Sequence, residues 1–297
     1  MASQRIGWIG TGVMGTSMCG HMMAAGHNLT LYNRSREKAS SLLENGAKWA
    51  DSPAMVARKS DMVFTMVGFP DDVREVILGN EGVLAGIKRG STVVDMTTSS
   101  PDLAQRIYDK CKEMDVKSLD APVSGGDVGA REATLAIMVG GDRPVFDEVK
   151  PLFEIVGKTI SLMGGPGAGQ HTKMTNQILI AGTMIGVVES LLYAQRAGMD
   201  AHQVIDVIGK GAASSWSINT LGPRIADGDY SPGFYIKHFV KDMGIALEEA
   251  RRMRLSLPGL AMVHQFYVSA MAMGMENLGT HGLYQVLASM NRNPVNR

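Results

Sequence analysis

The chain has 297 residues, enough for one large domain or two domains of ordinary size with buried cores. Its 29 basic and 29 acidic residues cancel, which excludes a global positive field that would draw the protein onto nucleic acid or an anionic membrane. The two cysteines, Cys19 and Cys111, are too few for a disulfide framework, and the seven histidines show no metal-ligand spacing. We therefore expect a cytoplasmic protein without a structural metal.

The first 163 residues alternate short apolar runs with segments that carry helix-start signals. Seven runs, several of them rich in valine, isoleucine or threonine, predict strands: 5–10, 28–33, 61–67, 91–96, 116–120, 136–139 and 159–163. Ser52-Pro53 and Ser100-Pro101 each place a capping side chain before a proline that suits the first helical turn. This alternation predicts a parallel sheet covered by helices on both faces, a Rossmann-type domain over residues 1–163.

After residue 164 the pattern becomes helical. Residues 170–197 are largely apolar and are closed by Gly198, which predicts one long buried helix. Further helical patterns follow at 201–209, 217–227, 237–254 and 259–274. The longest apolar run here, 178–188, is shorter than the roughly twenty residues that cross a bilayer, so no membrane span is expected. The predicted fold class is α/β: a Rossmann-type dinucleotide-binding domain joined by a long helix to an all-helical domain at 164–297.

A glycine-rich segment follows the first predicted strand and opens a helix. In its G-x-G-x-x-G pattern Gly10 permits a tight turn, Gly12 lets a pyrophosphate approach the backbone, and Gly15 lets the helix pack closely on the strand. The helix N-terminus adds amide donors and a partial positive charge. A structural glycine turn is the alternative to a dinucleotide site. The predicted cofactor-binding residues are Gly10, Thr11, Gly12, Val13, Met14 and Gly15.

The end of the second predicted strand, Asn33-Arg34-Ser35, indicates which dinucleotide binds. An NAD site typically has a carboxylate there, which accepts a hydrogen bond from the ribose 2′-hydroxyl. An amide, a guanidinium and a hydroxyl suit a 2′-phosphate instead, because arginine can hold it through two parallel hydrogen bonds. We therefore predict a preference for NADP(H) over NAD, with an ordinary surface role for Arg34 as the alternative. Val67, which ends the strand at 61–67, is also assigned to the cofactor site.

A second glycine-containing segment, residues 120–126, ends a strand at the carboxyl edge of the sheet, where open α/β sheets bind ligands. The Ser124 hydroxyl and the freely oriented amides of Gly125 and Gly126 can point at one anion, which predicts a substrate-carboxylate site. Ser124 is not expected to be a nucleophile, because no histidine and aspartate stand at a triad spacing. A plain turn is the alternative.

A third glycine-rich segment, residues 164–169, precedes Lys173, which should lie in the first turn of the long helix. A partly desolvated amine beside a positive helix end should have a lowered pKa. Such an amine can protonate the alkoxide that forms when hydride reaches a carbonyl carbon, and can act as the base in reverse. Asn176 and Gln177, at i+3 and i+4, are predicted to hold the hydroxyl and orient the amine. Taken alone, a lysine such as Lys173 is more often a solvated charge on a helix surface, but the two preceding loops favour the catalytic role.

In this order and spacing, the three segments resemble those of the β-hydroxyacid dehydrogenase family, over essentially the whole chain from Ile6 to about Met290. The segment at 120–126 and the Gly-x-Gly-Gln-x-x-Lys element at 167–173 are more specific than the first glycine loop. The resemblance implies a Rossmann domain with a helical domain built around one long helix. It also implies that Lys173 is the general acid/base and that the serine–glycine loop binds the substrate carboxylate.

Four further roles are implied by this resemblance. Thr98 and Lys241 match cofactor contacts, and Phe234 and Asp242 match positions near the substrate or nicotinamide. Members of the family form dimers or tetramers, so a homo-oligomer is expected.

Two positions depart from the family pattern. Many members have asparagine at the position of Gln177, whereas this chain has its asparagine at Asn176, so which amide orients the substrate stays open. Ala133 stands where glycine is usual.

The leading hypothesis is an NADPH-dependent oxidoreductase that interconverts a small carboxylate-bearing aldehyde, such as a semialdehyde, and its hydroxyacid. An NAD-dependent 3-hydroxyisobutyrate dehydrogenase is the alternative. Imine reductases share the architecture but generally lack the lysine. A different class, a catalytically silent cofactor-binding or scaffold module, is disfavoured by Lys173. The sequence names neither the substrate nor the dominant direction.

Overall fold

The computed structural model describes residues 3–291. The chain divides into two compact units, Met1–Lys173 and Met174–Arg297, and the division falls inside one continuous helix. Each unit has an apolar core of its own.

A nine-stranded sheet forms the N-terminal unit, in the order β3-β2-β1-β4-β5-β6-β8-β7, with β9 also paired to β8. Strands β1 to β6 are parallel, and the strand order reverses on either side of β1, as in doubly wound dinucleotide-binding folds. The α/β Rossmann-type fold predicted from the sequence is confirmed. The strands are β1 (Arg5–Ile9), β2 (Asn28–Tyr32), β3 (Lys48–Trp49), β4 (Met62–Thr65), β5 (Thr92–Asp95), β6 (Lys117–Asp120), β7 (Val123–Ser124), β8 (Leu135–Gly141) and β9 (Gly157–Gly164).

The far edge of the sheet departs from the wholly parallel sheet expected from the alternation. β8 runs antiparallel to both β6 and β7, and β9 runs parallel to β8. The connection from β6 to β8 holds only one helix of six residues, Gly126–Arg131. A helix of that length rises about 9 Å, too little to carry the chain back along the sheet for a parallel return.

Between residues 3 and 167, seven α-helices accompany the strands: α1 (Val13–Ala24), α2 (Ser40–Glu44), α3 (Pro53–Arg58), α4 (Pro70–Leu78), α5 (Pro101–Glu113), α6 (Gly126–Arg131) and α7 (Arg143–Val156). The two predicted capping serines act as expected. Ser52 Oγ accepts from Met55 N at 3.3 Å, and Ser100 Oγ accepts from Leu103 N at 3.2 Å, each before a proline in the first turn. These caps fix where α3 and α5 begin.

Two apolar cores cover the two faces of the sheet. Adjacent residues of one strand belong to different cores: Val63 packs in one and Phe64 in the other, because successive strand side chains point to opposite faces. Phe64 stacks on Trp8 with ring centroids 5.7 Å apart and meets Phe153 edge-on at 6.4 Å. Both faces being buried explains why the strands read as continuous apolar runs in the sequence.

The long helix α8 (Ala168–Arg196) begins in the N-terminal unit and continues into the C-terminal unit. By length and composition alone it could cross a bilayer, with a mean hydropathy of 1.6 over its most apolar 18 residues. However, 44% of that window is buried, and its side chains contribute Met184, Val188 and Leu191 to the C-terminal core. Core packing therefore accounts for part of the apolar composition of α8.

The remaining helices of the C-terminal unit are α9 (Ala201–Ile208), α10 (Gly222–Ala226), α11 (Ile236–Arg252), α12 (Pro258–Ala272) and α13 (Leu283–Met290). The predicted helix at 217–227 is interrupted, since Ser217–Leu221 forms a π-helical turn before α10. α13 was not anticipated. Among the described residues of this unit, strand pairing is limited to one bridge between Tyr235 and Gly279.

Ala133, which replaces a usual glycine, has a φ of 53°. An L-residue pays about 1–2 kcal/mol in this left-handed region, whereas glycine costs about 0.5–1 kcal/mol in unfolded-state entropy. We therefore expect Ala133→Gly to raise the free energy of unfolding by about 0.5–1 kcal/mol in chemical denaturation. Ala104→Gly, inside α5, should lower it by about 1 kcal/mol. Loss of stability in both variants would show that Ala133 is unstrained.

Candidate active site

The glycine loop joins β1 to α1 at the carboxyl edge of the sheet. Gly10 has a φ of 99°, and a Cβ at Gly15 would lie 2.1 Å from the Gly10 carbonyl oxygen, so both positions require glycine. A Cβ at Gly12 would meet no heavy atom within 4 Å. The first turn of α1 carries no acidic side chain, and Val13 is exposed. The loop therefore offers open space beside an unneutralised helix N-terminus, which fits a pyrophosphate.

The predicted ribose-phosphate residues follow β2 directly. Asn33 Oδ1 accepts from Thr11 N at 3.1 Å, and Asn33 Nδ2 donates to Ser35 O at 2.8 Å. Asn33 thus ties the glycine loop to the end of β2, which is a structural task that the sequence did not reveal. The Arg34 guanidinium is 82% exposed and lies 3.1 Å from Asp72 Oδ1. An exposed guanidinium beside the glycine loop fits a 2′-phosphate.

The ends of β4 and β5 are held by one buried carboxylate. Asp95 Oδ1 accepts from Thr65 Oγ1 at 2.7 Å and from Thr97 N at 3.0 Å. Thr97 Oγ1 in turn accepts from Val67 N at 3.0 Å. Burial raises the pKa of Asp95 to about 6, against the opposing hydrogen bonds from Thr65 and Thr97. This network fixes the backbone at Val67, a predicted cofactor residue, and at Thr97, the neighbour of the predicted cofactor residue Thr98.

The predicted carboxylate loop lies between β7 and α6. Ser124 is half-buried and pairs with Ala136 of β8. Gly125 and Gly126 both have positive φ, 133° and 63°, so the backbone turns sharply directly after the serine. These conformations suit glycine and turn the amides that follow Ser124 away from the strand direction.

Lys173 lies on α8 and is buried, with 6% of its surface exposed. The prediction that it occupies the first turn was wrong: α8 begins at Ala168, two residues earlier than expected, so Lys173 is in the second turn. A helix dipole acts mainly within the first turn, so the predicted influence of the helix end on the amine is weakened by this position. A buried lysine is uncommon in a protein core and is often functional.

Four predicted residues of the C-terminal unit form one chain of polar contacts. Asn176 Nδ2 donates to Gln177 Oε1 at 2.7 Å, and Gln177 Nε2 donates to Asp242 Oδ2 at 2.6 Å. Lys241 Nζ lies 2.9 Å from Asp242 Oδ1, although that oxygen accepts no hydrogen bond, so this contact is an ion pair without hydrogen-bond alignment. Gln177 and Asp242 are both only 1% exposed. Both ends of the Gln177 amide are therefore engaged within the protein, whereas Asn176 is half-buried.

Phe234, the remaining predicted residue, precedes α11. Its ring meets Phe239 edge-on, with centroids 6.0 Å apart, and stacks on His238 at 6.4 Å. The ring is half-buried, so part of it is held by the C-terminal core and part stays accessible. Among the described residues, no group of three or more histidine, cysteine, aspartate or glutamate side chains could hold a metal ion.

The fold and the site together indicate a class of protein, the dinucleotide-dependent oxidoreductases. The features that indicate it are a Rossmann sheet with an open glycine loop, an exposed arginine after β2 and a buried lysine on α8. Two family models match the chain in succession. Residues 5–165 match the NAD binding domain of 6-phosphogluconate dehydrogenase. Residues 167–287 match a model described as NAD-binding of NADP-dependent 3-hydroxyisobutyrate dehydrogenase.

Known relatives extend the likeness over nearly the full chain. The chain is 50% identical to "probable 3-hydroxyisobutyrate dehydrogenase-like 1, mitochondrial" of Arabidopsis thaliana, in an alignment that covers 98% of this chain and 87% of that protein. It is 40% identical to 2-hydroxy-3-oxopropionate reductase of Escherichia coli (strain K12), covering 96% and 98%. The solved structure of 3-hydroxyisobutyrate dehydrogenase from Salmonella typhimurium superposes with a TM-score of 0.87 at 28% identity, covering 96% and 100%.

The chain belongs to the β-hydroxyacid dehydrogenase family. It is therefore an oxidoreductase of the hydroxyacid and semialdehyde dehydrogenase type with a nicotinamide dinucleotide as cofactor. The resemblance drawn from the three glycine-rich segments is confirmed.

Proposed function

We propose that the protein is an NADPH-dependent reductase of small carboxylate-bearing aldehydes, working in reverse as a dehydrogenase of the matching hydroxyacids, with Lys173 as general acid/base. The observation that carries this proposal is the burial of Lys173 on α8, in the same unit as the glycine loop and the Ser124 loop. A lysine that folding removes from water needs a reason for its presence, and proton exchange with a substrate oxygen supplies one.

On this proposal the N-terminal unit binds both the cofactor and the substrate carboxylate. The glycine loop and the N-terminus of α1 hold the pyrophosphate, Arg34 and Ser35 hold the 2′-phosphate, and Val67 and Thr98 line the nicotinamide side. The Ser124 hydroxyl, with the amides of Gly125 and Gly126, binds the substrate carboxylate. The bound nicotinamide supplies hydride to the carbonyl carbon. Lys173 then donates a proton to the developing alkoxide oxygen.

We assign Asn176 to orient the substrate hydroxyl, since it is half-buried whereas Gln177 is almost fully buried. Gln177 already donates to Asp242 and accepts from Asn176, and it is almost fully buried. We therefore assign Gln177 the task of orienting Asn176. Asp242 holds Gln177 and pairs with Lys241, which is assigned to the cofactor. Phe234 is assigned to the substrate pocket.

A substrate panel tests this proposal. NADPH oxidation is measured with succinic semialdehyde, glyoxylate and tartronate semialdehyde, and with butanal as the match for succinic semialdehyde that lacks the carboxylate. Each hydrogen bond to the substrate carboxylate contributes about 1.5–3 kcal/mol. Loss of one such bond should make kcat/KM for butanal about tenfold to hundredfold lower than for succinic semialdehyde. Comparable turnover of butanal, or no turnover of any carboxylate-bearing aldehyde, would contradict the proposal.

A second candidate is an NAD-dependent 3-hydroxyisobutyrate dehydrogenase. The names of the Arabidopsis and Salmonella proteins favour its substrate but give no cofactor. Oxidation of 3-hydroxyisobutyrate with NAD, measured beside the panel, separates the two. If this reaction has the higher kcat/KM, the second candidate replaces the first.

We further propose a cytoplasmic homodimer or homotetramer. In support, the side chains of Leu179 and Tyr193 on α8 are 72% and 75% exposed, so both could pack against a second copy of the chain. Light scattering that detects only monomer would contradict this.

A further inference from the structure

A buried polar cluster that sequence reasoning missed lies where α8 begins. Asp120, the last residue of β6, accepts from Gly167 N through Oδ1 and from Gln170 N through Oδ2, both at 2.8 Å. The first amides of a helix have no partner inside it, and a carboxylate is favourable at that positively polarised end. Burial raises the pKa of Asp120, and the backbone amides oppose this rise. Asp120 therefore caps α8 from a neighbouring strand.

Gln170 attaches the same helical turn to a second strand. Its Nε2 donates to Thr97 O at 2.7 Å, and its Oε1 accepts from Ser99 N at 2.9 Å. Its side chain is fully buried. The carboxamide thus bridges the two residues on either side of Thr98. The first of them, Thr97, also donates its backbone N–H to Asp95. The first turn of α8 is fixed to the ends of both β5 and β6.

Close backbone approach makes this attachment tight. A Cβ at Gly169 would lie 2.4 Å from Met138 O and 2.8 Å from Asp120 Oδ2. A Cβ at Gly140 would lie 2.4 Å from Asp120 Oδ1 and 2.7 Å from Gly169 N. Side chains other than hydrogen would force the helix start away from β6 and β8. Gly169, the second glycine of the Gly-x-Gly-Gln element, therefore allows the start of α8 to lie close to β6 and β8.

We propose that Asp120 and Gln170 are positioning residues for Lys173. Gln170 precedes Lys173 by three residues, about 4.5 Å along the helix axis, on adjoining positions of one face. On the β5 side the attachment fixes Lys173 relative to Thr98, and on the β6 side relative to the loop that carries Ser124. The inference rests on the proposed function, in which Lys173 exchanges the substrate proton. Because proton transfer tolerates little misplacement, loosening the attachment should lower kcat while leaving cofactor binding intact.

A double-mutant cycle tests this inference. Gln170→Met keeps the side-chain length and removes both hydrogen bonds, and Asp120→Asn weakens the cap without changing its shape. Either variant should lower kcat about tenfold in the wild-type background and less than about twofold in the Lys173→Ala background. The dissociation constant for NADPH, measured by fluorescence, should change less than about twofold. Ser52→Ala, which removes the cap of α3, is the matched control and should leave kcat unchanged.

The outcomes separate the two proposals. Equal kcat losses in both backgrounds would show that Gln170 and Asp120 do not act through Lys173, and would overturn the positioning role alone. A Lys173→Ala enzyme with wild-type kcat would instead overturn the proposed function, and the positioning role with it. Hydrogen exchange of amides 167–173 gives an independent readout. Gln170→Met should speed their exchange, and unchanged protection would overturn the inference even if kcat falls.

Discussion

Lys173→Ala is expected to lower kcat by roughly two to four decades while NADPH still binds. The loss should be large because the variant removes the only proton donor that the proposal places at the developing alkoxide. Binding should survive, because the glycine loop and Arg34 lie after β1 and β2, whereas Lys173 lies on α8. The measurement is kcat with the best aldehyde of the panel, together with fluorescence titration of NADPH.

Two further variants keep this result interpretable. Lys173→Met fills the same buried space with an apolar side chain, so it guards against loss of folding in the alanine variant. Lys158→Ala removes an exposed lysine from β9 and should leave kcat unchanged. Turnover within about threefold of wild type in both Lys173 variants would refute the acid/base role.

The sheet could be predicted closely because its strands are buried on both faces. All seven apolar runs correspond to strands in the structure, with ends shifted by a few residues. The two missed strands, β3 and β7, have two residues each. So short a segment cannot show a two-residue period, and only its neighbours in the sheet define it. The antiparallel β8 was missed for a related reason, because strand direction depends on the length of α6 rather than on the strand itself.

The glycine positions were also readable, since backbone conformation and close approach restrict them to one residue type. Gly10 and Gly15 require glycine for the reasons the sequence pattern suggested. What the pattern could not show is the set of partners supplied from a distance. Asp120 caps α8 across 47 residues, which is why the helix starts earlier than its local sequence indicates. Asp242 holds Gln177 across 65 residues.

Asn33 shows the same limit at the cofactor site. From the sequence, all of Asn33-Arg34-Ser35 were candidates for the 2′-phosphate. In the structure both ends of the Asn33 amide bind backbone atoms of Thr11 and Ser35, so the guanidinium of Arg34 and the hydroxyl of Ser35 are the candidates that remain for the 2′-phosphate.

Arg34→Ala is therefore expected to lower kcat/KM for NADPH by about tenfold to hundredfold and to leave kcat/KM for NADH within about threefold of wild type. The magnitude follows from losing charge-assisted hydrogen bonds of about 1.5–3 kcal/mol to the 2′-phosphate, which NADH lacks. Asp72 competes for the same guanidinium at 3.1 Å, but the arginine is highly exposed. An exposed ion pair contributes only about 0–1 kcal/mol, so the 2′-phosphate should displace Asp72 from the Arg34 guanidinium.

Arg89→Ala is the matched control for this prediction. The Arg89 side chain is 83% exposed and pairs with one carboxylate, Asp115, just as Arg34 pairs with Asp72. However, Arg89 precedes β5, whereas Arg34 follows β2. Arg89 therefore lies toward the amino ends of the parallel strands and Arg34 toward their carboxyl ends. Its removal should change neither cofactor constant. A wild type that prefers NADH would contradict the predicted NADP(H) preference itself. Equal weakening of NADPH by both arginine variants would show that Arg34 does not select the cofactor.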